Sequence, residues 1–344
     1  MLVEITVAEI HISVVIPTCE RKSRLLSLLQ NLDRSTCRVE EVIIVDSGND
    51  RLVPSDYSPF TRLAIQYVLS EPSVCIQRNK GIRLSRSPWI FLCDDDIEFP
   101  PDYLQNLVNH ISKYPETGAV SGRWLQLESA GWTATYPVRS TRELLWKYIF
   151  QLGIWGEIDC AGNNAMIRRI KQYYKTRGNH ISKAGWPVNI DFTGEYAVCP
   201  VYSLGASLVK KEWLMYSPYD EVLDRHGIGD NYGVVVDFPV PGIHVINHAF
   251  VYHHKEPANR LKESLQYYRR TLALDYFTRT KPGLKNITRV RMLWALTGNL
   301  LGFLYARDFH KTRAALKSII KIALNRNPYY NASRQKRKAI EPVL

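Results

Sequence analysis

The chain has 344 residues, of which 45% are hydrophobic and 23% are charged. This composition excludes a disordered chain, which is less apolar, and a protein with many membrane spans, which carries less charge. The formal net charge of +12 leads us to expect an anionic partner, such as a nucleotide, a phospholipid surface or a nucleic acid. Six cysteines show no spacing typical of a zinc site, which favours reduced thiols.

The first third of the chain alternates predicted strands with predicted helices. Apolar, β-branched runs indicate strands, and leucines at helical spacing indicate helices between them. The strands cover 12–16, 41–45, 63–69 and 89–93, and the helices cover 21–32, 74–84 and 101–113. This alternation predicts an α/β fold with a mainly parallel sheet flanked by helices.

The rest of the chain is less regular. From 118 to about 201 the periodicity is weak and only one helix, at 142–152, is predicted. Strands and turns return at 202–254, and further helices are predicted at 261–277 and in a pair over about 290–324. We expect a domain at 1–258, with a nucleotide-binding half (1–120) and an acceptor half (121–258), followed by a basic helical region at 259–344.

Short polar clusters follow three of the predicted strands, at 18–20, 46–49 and 94–96. In a parallel sheet the carboxyl ends of the strands lie at one edge, and ligands bind there. We therefore expect these clusters, which are distant in sequence, to line one crevice.

The cluster Asp94-Asp95-Asp96 is the strongest candidate for a ligand site. Adjacent carboxylates repel one another unless a cation or hydrogen-bond donors compensate their charge. Carboxylate oxygens suit Mg²⁺ or Mn²⁺, and an ion held there could in turn bind a diphosphate. The alternative is a solvated acidic turn, but the position after a buried strand favours metal binding.

Two further segments have both a functional and a structural interpretation. Arg78 could pair with a phosphate or with the acidic cluster, and Asn79 could orient a ribose or an aspartate. Asp46 could accept hydrogen bonds from a nucleobase, or it could form an Asx-turn or a helix cap. The residues alone leave both interpretations open.

The second half of the chain contains a candidate base and a candidate metal ligand. Asp230 stands between a glycine-rich turn and an apolar run, where a carboxylate can act as a general base or as a helix N-cap. A predicted strand ends at His253 and His254. One of these imidazoles could complete a metal shell built from carboxylates, or both could be structural.

Five segments together resemble the motifs of the family 2 glycosyltransferases, which are inverting enzymes with the GT-A fold. In order they are Ser13–Thr18, Val45–Gly48, Arg78–Gly81, Phe91–Ile97 and Gly205–Val209, followed by Tyr219–Glu221. The resemblance extends from about Ile12 to Arg270. It implies a GT-A sheet, Rossmann-like and mainly parallel, with a helical extension at the C-terminus.

The resemblance implies metal-dependent transfer of a sugar from a nucleotide-diphosphate sugar to a hydroxyl of a saccharide or lipid-linked acceptor, in cell-surface polysaccharide or glycolipid synthesis. It assigns the catalytic base to Asp230. It assigns Mn²⁺ or Mg²⁺ to Asp96 and His253, with His254 as the alternative to His253. The residues assigned to the nucleotide sugar are Thr18, Glu20, Asp46, Arg78, Asn79, Asp94 and Asp95.

The chain departs from the family pattern at two places. Gly229 stands where the family has the glutamate of its catalytic pair, so Asp220 or Glu221 are alternative bases, and a catalytically degenerate sugar-nucleotide or polysaccharide binding protein is the alternative function. The motif at 266–270 lacks the tryptophan of the processive branch, which argues against a polymer-extruding synthase. A nucleotidyltransferase is disfavoured because 17–21 contains no glycine.

The C-terminal region is strongly basic. From Arg307 onward there are ten lysines or arginines and only two acidic residues. Arg313, Lys317 and Lys321 recur at helical spacing beside an apolar face, which is typical of helices that lie on anionic membranes. We expect a protein without a signal peptide, peripheral on the cytoplasmic face of a membrane, with no nucleic-acid partner. The alternative is a packed C-terminal helix with a solvated face.

Overall fold

The computed structural model describes residues 10–129, 131–223, 225–254 and 261–335. In chain order its strands and helices are β1 (Ile12–Thr18), α1 (Lys22–Asp33), β2 (Glu41–Asp46), α2 (Pro54–Tyr57), β3 (Ile65–Leu69), α3 (Val74–Leu84), β4 (Trp89–Cys93), β5 (Ile97–Glu98), α4 (Tyr103–Lys113), β6 (Ala119–Glu128), β7 (Gly131–Thr133), α5 (Thr141–Phe150), β8 (Ile154–Trp155), α6 (Ala165–Arg177), β9 (His180–Ile181), β10 (Pro187–Asn189), β11 (Tyr196–Cys199), β12 (Ala206–Lys210), α7 (Lys211–Tyr216), α8 (Asp230–Val235), β13 (Ile243–His253), α9 (Glu263–Thr280), a 3₁₀ helix (Pro282–Leu284), α10 (Arg289–Tyr305), α11 (Phe309–Ala323) and α12 (Pro328–Arg334). The strands and helices predicted for the first third are all present.

The chain divides into two compact units. Unit 1 contains the described residues of 10–132, 203–218 and 243–254, and unit 2 contains those of 133–202, 219–242 and 261–335. All six cysteines are free thiols, as the sequence predicted.

Unit 1 is built on one sheet whose strands are ordered β13, β6, β12, β4, β1, β2 and β3. The pairs β1–β2, β1–β4, β2–β3 and β6–β13 are parallel, whereas β12 is antiparallel to both β4 and β6. The predicted α/β fold with a mainly parallel sheet is therefore confirmed.

The helices of unit 1 pack on this sheet through the faces that the sequence pattern predicted. Helix α1 buries Leu25, Leu28, Leu29 and Leu32 in the core that also contains the strand residues. Helix α3 approaches β1 so closely that a Cβ on Gly81 would lie 2.4 Å from Cγ1 of Val15. This contact requires glycine and fixes the polar residues of α3 against the sheet.

The register of the strands brings their carboxyl ends to a common edge. Thr18 of β1 lies opposite Asp46 of β2, and Val15 of β1 lies opposite Leu92 of β4. The polar residues that follow these strands are therefore held at one edge of the sheet.

Unit 2 combines α5 and α6, a small sheet ordered β8, β10 and β9, and the C-terminal helices. Helix α5 contacts α10 closely: a Cβ on Gly298 would lie 2.3 Å from Cγ of Phe150, and the indole N–H of Trp146 donates to the Gly298 carbonyl at 3.2 Å. Near the C-terminus, the buried Asn327 amide donates to the Leu272 carbonyl at 2.8 Å. Within the described ranges, no helix is both long and apolar enough to cross a membrane.

A histidine pair in unit 1 gives a prediction about pH. Nδ1 of His244 lies 2.9 Å from Nε2 of His110 and 3.1 Å from Oγ1 of Thr117, and burial lowers the pKa of His244. An unfolded histidine takes up a proton near pH 6.5, before the folded one does. We therefore expect the free energy of unfolding to fall on acidification from pH 7 to 5.5, by more in the wild type than in His244→Asn, as measured by urea denaturation. An equal fall in both would contradict this prediction.

Candidate functional site

The three polar clusters that follow β1, β2 and β4 come together at the edge of the sheet in unit 1. The hydroxyl of Thr18 donates to Oδ2 of Asp95 at 2.7 Å. The backbone N–H of Ser47 donates to the Thr18 carbonyl at 3.1 Å. The first cluster is thus bonded to both of the others, as expected from the order of strands and helices.

Two guanidinium groups contact the three carboxylates of 94–96. Nη1 of Arg21 lies 2.8 Å from Oδ1 of Asp95 and 3.1 Å from Oδ2 of Asp96. Nη2 of Arg78 lies 2.5 Å from Oδ1 of Asp94, so Arg78 pairs with the acidic cluster, which is one of the two interpretations that the sequence left open. In these ion pairs of the described residues, with all groups ionised, three negative charges face two positive ones. The excess of negative charge attracts a further cation.

Burial changes the pKa of the middle carboxylate, Asp95. Asp95 is only 5% exposed, and this burial raises its pKa to about 6, although Arg21 opposes the shift. Part of the negative charge at the cluster is therefore lost under mildly acidic conditions.

The position of Asp94 depends on Gly205, which directly precedes β12. The backbone N–H of Asp94 donates to the Gly205 carbonyl at 2.7 Å. A Cβ at Gly205 would lie 2.1 Å from Oδ2 of Asp94, so any larger residue would displace this carboxylate. The glycine thus holds open the space that Asp94 occupies.

Asp46 takes the structural role that the sequence left open. Its Oδ1 accepts from the backbone N–H of Gly48 at 2.7 Å, which is an Asx-turn, and its Oδ2 accepts from the hydroxyl of Tyr67 at 2.5 Å. Each oxygen still has a free lone-pair direction for a ligand donor. Burial, followed by the bond to Asp46, raises the pKa of the Tyr67 hydroxyl.

Glu20 caps the turn that follows β2. Its carboxylate accepts from the backbone N–H groups of Asn49 at 2.6 Å and Asp50 at 3.3 Å, and these bonds lower its pKa. Glu20 has a φ of 57°. A non-glycine residue in this left-handed region is uncommon and marks a backbone held by its surroundings.

Residues of α3 tie the site to the sheet. The buried amide of Gln77 donates to the carbonyls of Thr18 and Val45, both at 2.7 Å, and so links the ends of β1 and β2. Asn79, the predicted partner of a ribose or an aspartate, is 5% exposed. Arg21, Gln77 and Tyr67 were not predicted as site residues. A signal was available only for Arg21, which follows the first polar cluster directly.

The end of β13 distinguishes the two candidate histidines. Nε2 of His253 lies 3.4 Å from Oδ1 of Asp96, and its ring is 5.0 Å from that of Trp124. His254 follows the strand and pairs with Oε2 of Glu98 at 2.9 Å. Of the two imidazoles, that of His253 is therefore the one that faces the Asp96 carboxylate.

The donor atoms of Asp96 and His253 fit a divalent cation that also binds a ligand. Among the residues that the structure describes, no three histidine, cysteine, aspartate or glutamate side chains form a ready metal site. Nδ1 of His253 is buried and has no hydrogen-bond partner in this part of the chain. Mg²⁺ is usually bound through one or two carboxylates, with substrate phosphates and water completing its shell. Asp96 offers one such carboxylate, and His253 offers an imidazole nitrogen 3.4 Å from it.

Asp230 belongs to unit 2, where it is the first residue of α8. It is 8% exposed, and its Oδ1 accepts from the backbone N–H of Asn231 at 2.7 Å. The N-cap is Gly229, with a φ of 94°, so a glutamate at that position would be strained. The alternative base Asp220 is bound to the Tyr276 hydroxyl at 2.7 Å and to Lys281 Nζ at 3.2 Å, which favours a structural role.

Known proteins resemble this chain chiefly in its first half. Residues 13–171 match the model of Glycosyl transferase family 2. An uncharacterized glycosyltransferase, YwdF, of Bacillus subtilis is 31% identical over 101 residues, which are 29% of this chain and 38% of that protein. An uncharacterized glycosyltransferase of Haemophilus influenzae is 30% identical over 105 residues, which are 30% of this chain and 35% of that protein. The chain therefore spans little more than a third of these curated relatives.

Solved structures resemble it more distantly. The mannosyltransferase PcManGT from Pyrobaculum calidifontis, in complex with GDP-Man and Mn²⁺, is 15% identical with a TM-score of 0.47, over 95% of this chain and 86% of that one. S. aureus TarS 1–349 is 12% identical with a TM-score of 0.47, over 95% of this chain and 92% of that one. These similarities are too low to indicate a substrate. The family match and the two curated relatives lead to one conclusion: residues 13–171 are similar to glycosyltransferase family 2.

Proposed function

We propose that the protein transfers a sugar, with inversion, from a nucleotide-diphosphate sugar to a hydroxyl of a saccharide or lipid-linked acceptor. The observation that carries this proposal is the carboxylate cluster at the strand edge of a family 2 segment, where Asp96 and His253 face each other at 3.4 Å. The net negative charge of the cluster suits a cation that accompanies a diphosphate.

In this proposal the residues of unit 1 bind and orient the donor. Asp96 and His253 hold Mn²⁺ or Mg²⁺, and the bound ion supplies Lewis-acid neutralisation of the leaving diphosphate. Arg21 fixes the orientation of Asp96, while Arg78 holds Asp94 toward the ribose. Thr18, Glu20, Asp46, Asn79 and Asp95 complete the nucleotide site.

The acceptor is activated by Asp230 in this mechanism. A carboxylate is far too weak a base to ionise an alcohol in advance. The proton of the acceptor hydroxyl therefore moves to Asp230 as the oxygen attacks the anomeric carbon, which is general-base catalysis. Inversion follows because the attack comes from the face opposite to the departing diphosphate.

Replacing Asp96 with Asn tests the donor site. We expect nucleotide diphosphates with Mn²⁺ to raise the melting temperature of the wild type, and their affinity for Asp96→Asn to fall about tenfold or more, because an anionic ligand of the ion is lost. A panel of nucleotide sugars, read by melting temperature and donor hydrolysis, measures this.

Asp102→Asn is the matched control, because Asp102 is an exposed carboxylate of the same unit. Nucleotide diphosphates with Mn²⁺ should raise the melting temperature of Asp102→Asn as much as that of the wild type. Equal stabilisation of Asp96→Asn and the wild type would refute the role of Asp96. No stabilisation of the wild type by any nucleotide would refute the donor site as a whole.

We also propose that α11 lies on an anionic membrane surface. The helix packs in unit 2 through Ala314, Ala315, Ser318 and Ile322, and leaves other apolar side chains outward. Leu316, Ile320 and Leu324 are 47%, 47% and 57% exposed. Arg313 and Lys321 are exposed on the same helix. Exposed apolar side chains flanked by cations are typical of interfacial helices, and this supports a peripheral location on the cytoplasmic face.

Neutralising Arg313 and Lys317 together should weaken binding to phosphatidylglycerol vesicles. The expected loss is about fivefold for each cation, since a basic residue near an anionic surface contributes about 1 kcal/mol. Cosedimentation with vesicles measures the loss. The matched control is Arg169→Gln with Lys175→Gln on α6, which removes two exposed cations of the same unit. Equal loss in the control, or equal binding to neutral vesicles, would contradict the proposal. Lys336, Arg337 and Lys338, which belong to the basic C-terminal region, lie outside the described residues.

A further inference from the structure

Unit 2 contains a cavity of about 450 Å³ that the donor site does not use. All of its lining residues belong to unit 2. Its volume lies within the range of about 300 to 1,000 Å³ that is typical of small-molecule pockets. Aromatic side chains dominate the wall, namely Tyr136, Trp155, Trp186, Tyr232 and Phe277.

Two of these aromatic rings are held in place by neighbouring rings. Trp155 stacks on Tyr202, with ring centres 5.1 Å apart and planes at 18°. Tyr232 stacks on Phe277 at 6.1 Å and 20°, and its hydroxyl donates to the Gly185 carbonyl at 2.7 Å. Rings fixed in this way form a preorganised apolar surface, which lowers the entropic cost of binding a flat or apolar ligand.

The wall also carries a cation whose charge is not balanced there. Glu143 and Lys147 line the cavity, but they pair with each other at 3.6 Å, and Lys147 also donates to the Gly153 carbonyl at 3.1 Å. The side chain of Arg270 lines the same cavity and is exposed, with no hydrogen bond or ion pair to another of the described residues. Arginine stays charged and matches phosphate or carboxylate through two parallel hydrogen bonds.

The cavity is also adjacent to the proposed base. Gly229 lines it, and Asp230 is the next residue. We propose that this cavity binds the acceptor, and that the acceptor combines an apolar chain or ring face with a phosphate or carboxylate that pairs with Arg270. The identification of this ligand as the acceptor rests on the proposed function. The binding of such an anion in the cavity does not depend on it.

The test is calorimetric titration of the full chain with two pairs of probes. Geranyl phosphate and geraniol represent a lipid source of the anion, and the methyl glycosides of glucuronic acid and glucose represent a saccharide source. We expect the charged member of one pair to bind and its uncharged counterpart to bind at least about tenfold more weakly. The pair that binds identifies the source.

Variants assign the binding to the cavity. Arg270→Gln should reduce the affinity for the charged probe to that for the uncharged one, whereas Arg270→Lys should retain part of the difference, because it keeps the charge but not the bidentate geometry. Arg169→Gln, an exposed arginine on α6, should change nothing. Melting temperatures of all three variants establish that they are folded.

Three outcomes would overturn the inference: no binding of any probe, equal binding of charged and uncharged probes, or unchanged binding in folded Arg270→Gln. Failure of the proposed function would look different. In that case no nucleotide sugar would be bound or hydrolysed, while the titration would still show an anion in the cavity. Asp96→Asn should leave the titration unchanged, since it removes only the donor's metal ligand.

Discussion

Replacing Asp230 with Asn is expected to slow sugar transfer by about 10² to 10⁴-fold while donor binding remains unchanged. The amide has nearly the same shape as the carboxylate and can still accept a hydrogen bond from Asn231, so α8 should begin as before. It cannot take the proton of the acceptor hydroxyl. The loss should therefore appear in kcat at saturating donor, and the melting shift with nucleotide and Mn²⁺ should persist.

Asp220→Asn is the control for this change. Asp220 binds Tyr276 and Lys281, so its replacement should lower the free energy of unfolding without a comparable loss of kcat. If Asp230→Asn transferred sugar at nearly the wild-type rate, Asp230 would not be the base. If Asp220→Asn lost transfer while remaining folded and Asp230→Asn did not, the base would be Asp220.

The second large effect is expected from Gly205→Ala. The added methyl group would lie 2.1 Å from Oδ2 and 2.4 Å from Cγ of Asp94, so this side chain has to shift and its contact with Arg78 has to change. We expect the free energy of unfolding to fall by about 1 to 3 kcal/mol. Donor affinity should fall as well, because Asp94 is the residue proposed to face the ribose. Urea denaturation and nucleotide titration measure the two effects.

Gly302→Ala provides the matched control. Gly302 lies inside α10, and the nearest atom to an added Cβ would be the Trp146 indole nitrogen at 3.8 Å, an ordinary contact. There the same substitution should raise the free energy of unfolding by up to about 1 kcal/mol, because alanine favours a helix more than glycine does. A Gly205→Ala protein as stable as the wild type, with unchanged donor affinity, would show that Asp94 is not confined as the structure suggests.

The first third of the chain was predictable because each part of it carries a strong local signal. Buried parallel strands such as β2 are continuous β-branched runs, and α1 repeats leucine on one face. The meeting of the three polar clusters followed from strand order alone. The fold class could therefore be derived from pattern and topology.

The missed parts lack such a signal. The strands β8, β9 and β10 have two or three residues each, too few for alternation to be recognised. Helix α6 buries Ile167, Ile170 and Tyr174 among many charged residues, so its apolar stripe is narrow. Arg21 and Gln77 bind partners that are distant in sequence, so the position of Arg21 after the first polar cluster was a signal for the site but not for its partner. The choice between His253 and His254 required the direction of each side chain, which the sequence of a strand end does not fix.

In α11 the residues that pack inside unit 2 are different from the apolar residues that are exposed. Because Ala314, Ala315, Ser318 and Ile322 make the inward contacts, the half-exposed residues Leu316 and Ile320 can be exchanged for serine without changing those contacts. If α11 binds a bilayer as proposed, such exchanges weaken that binding while the packing of unit 2 is kept.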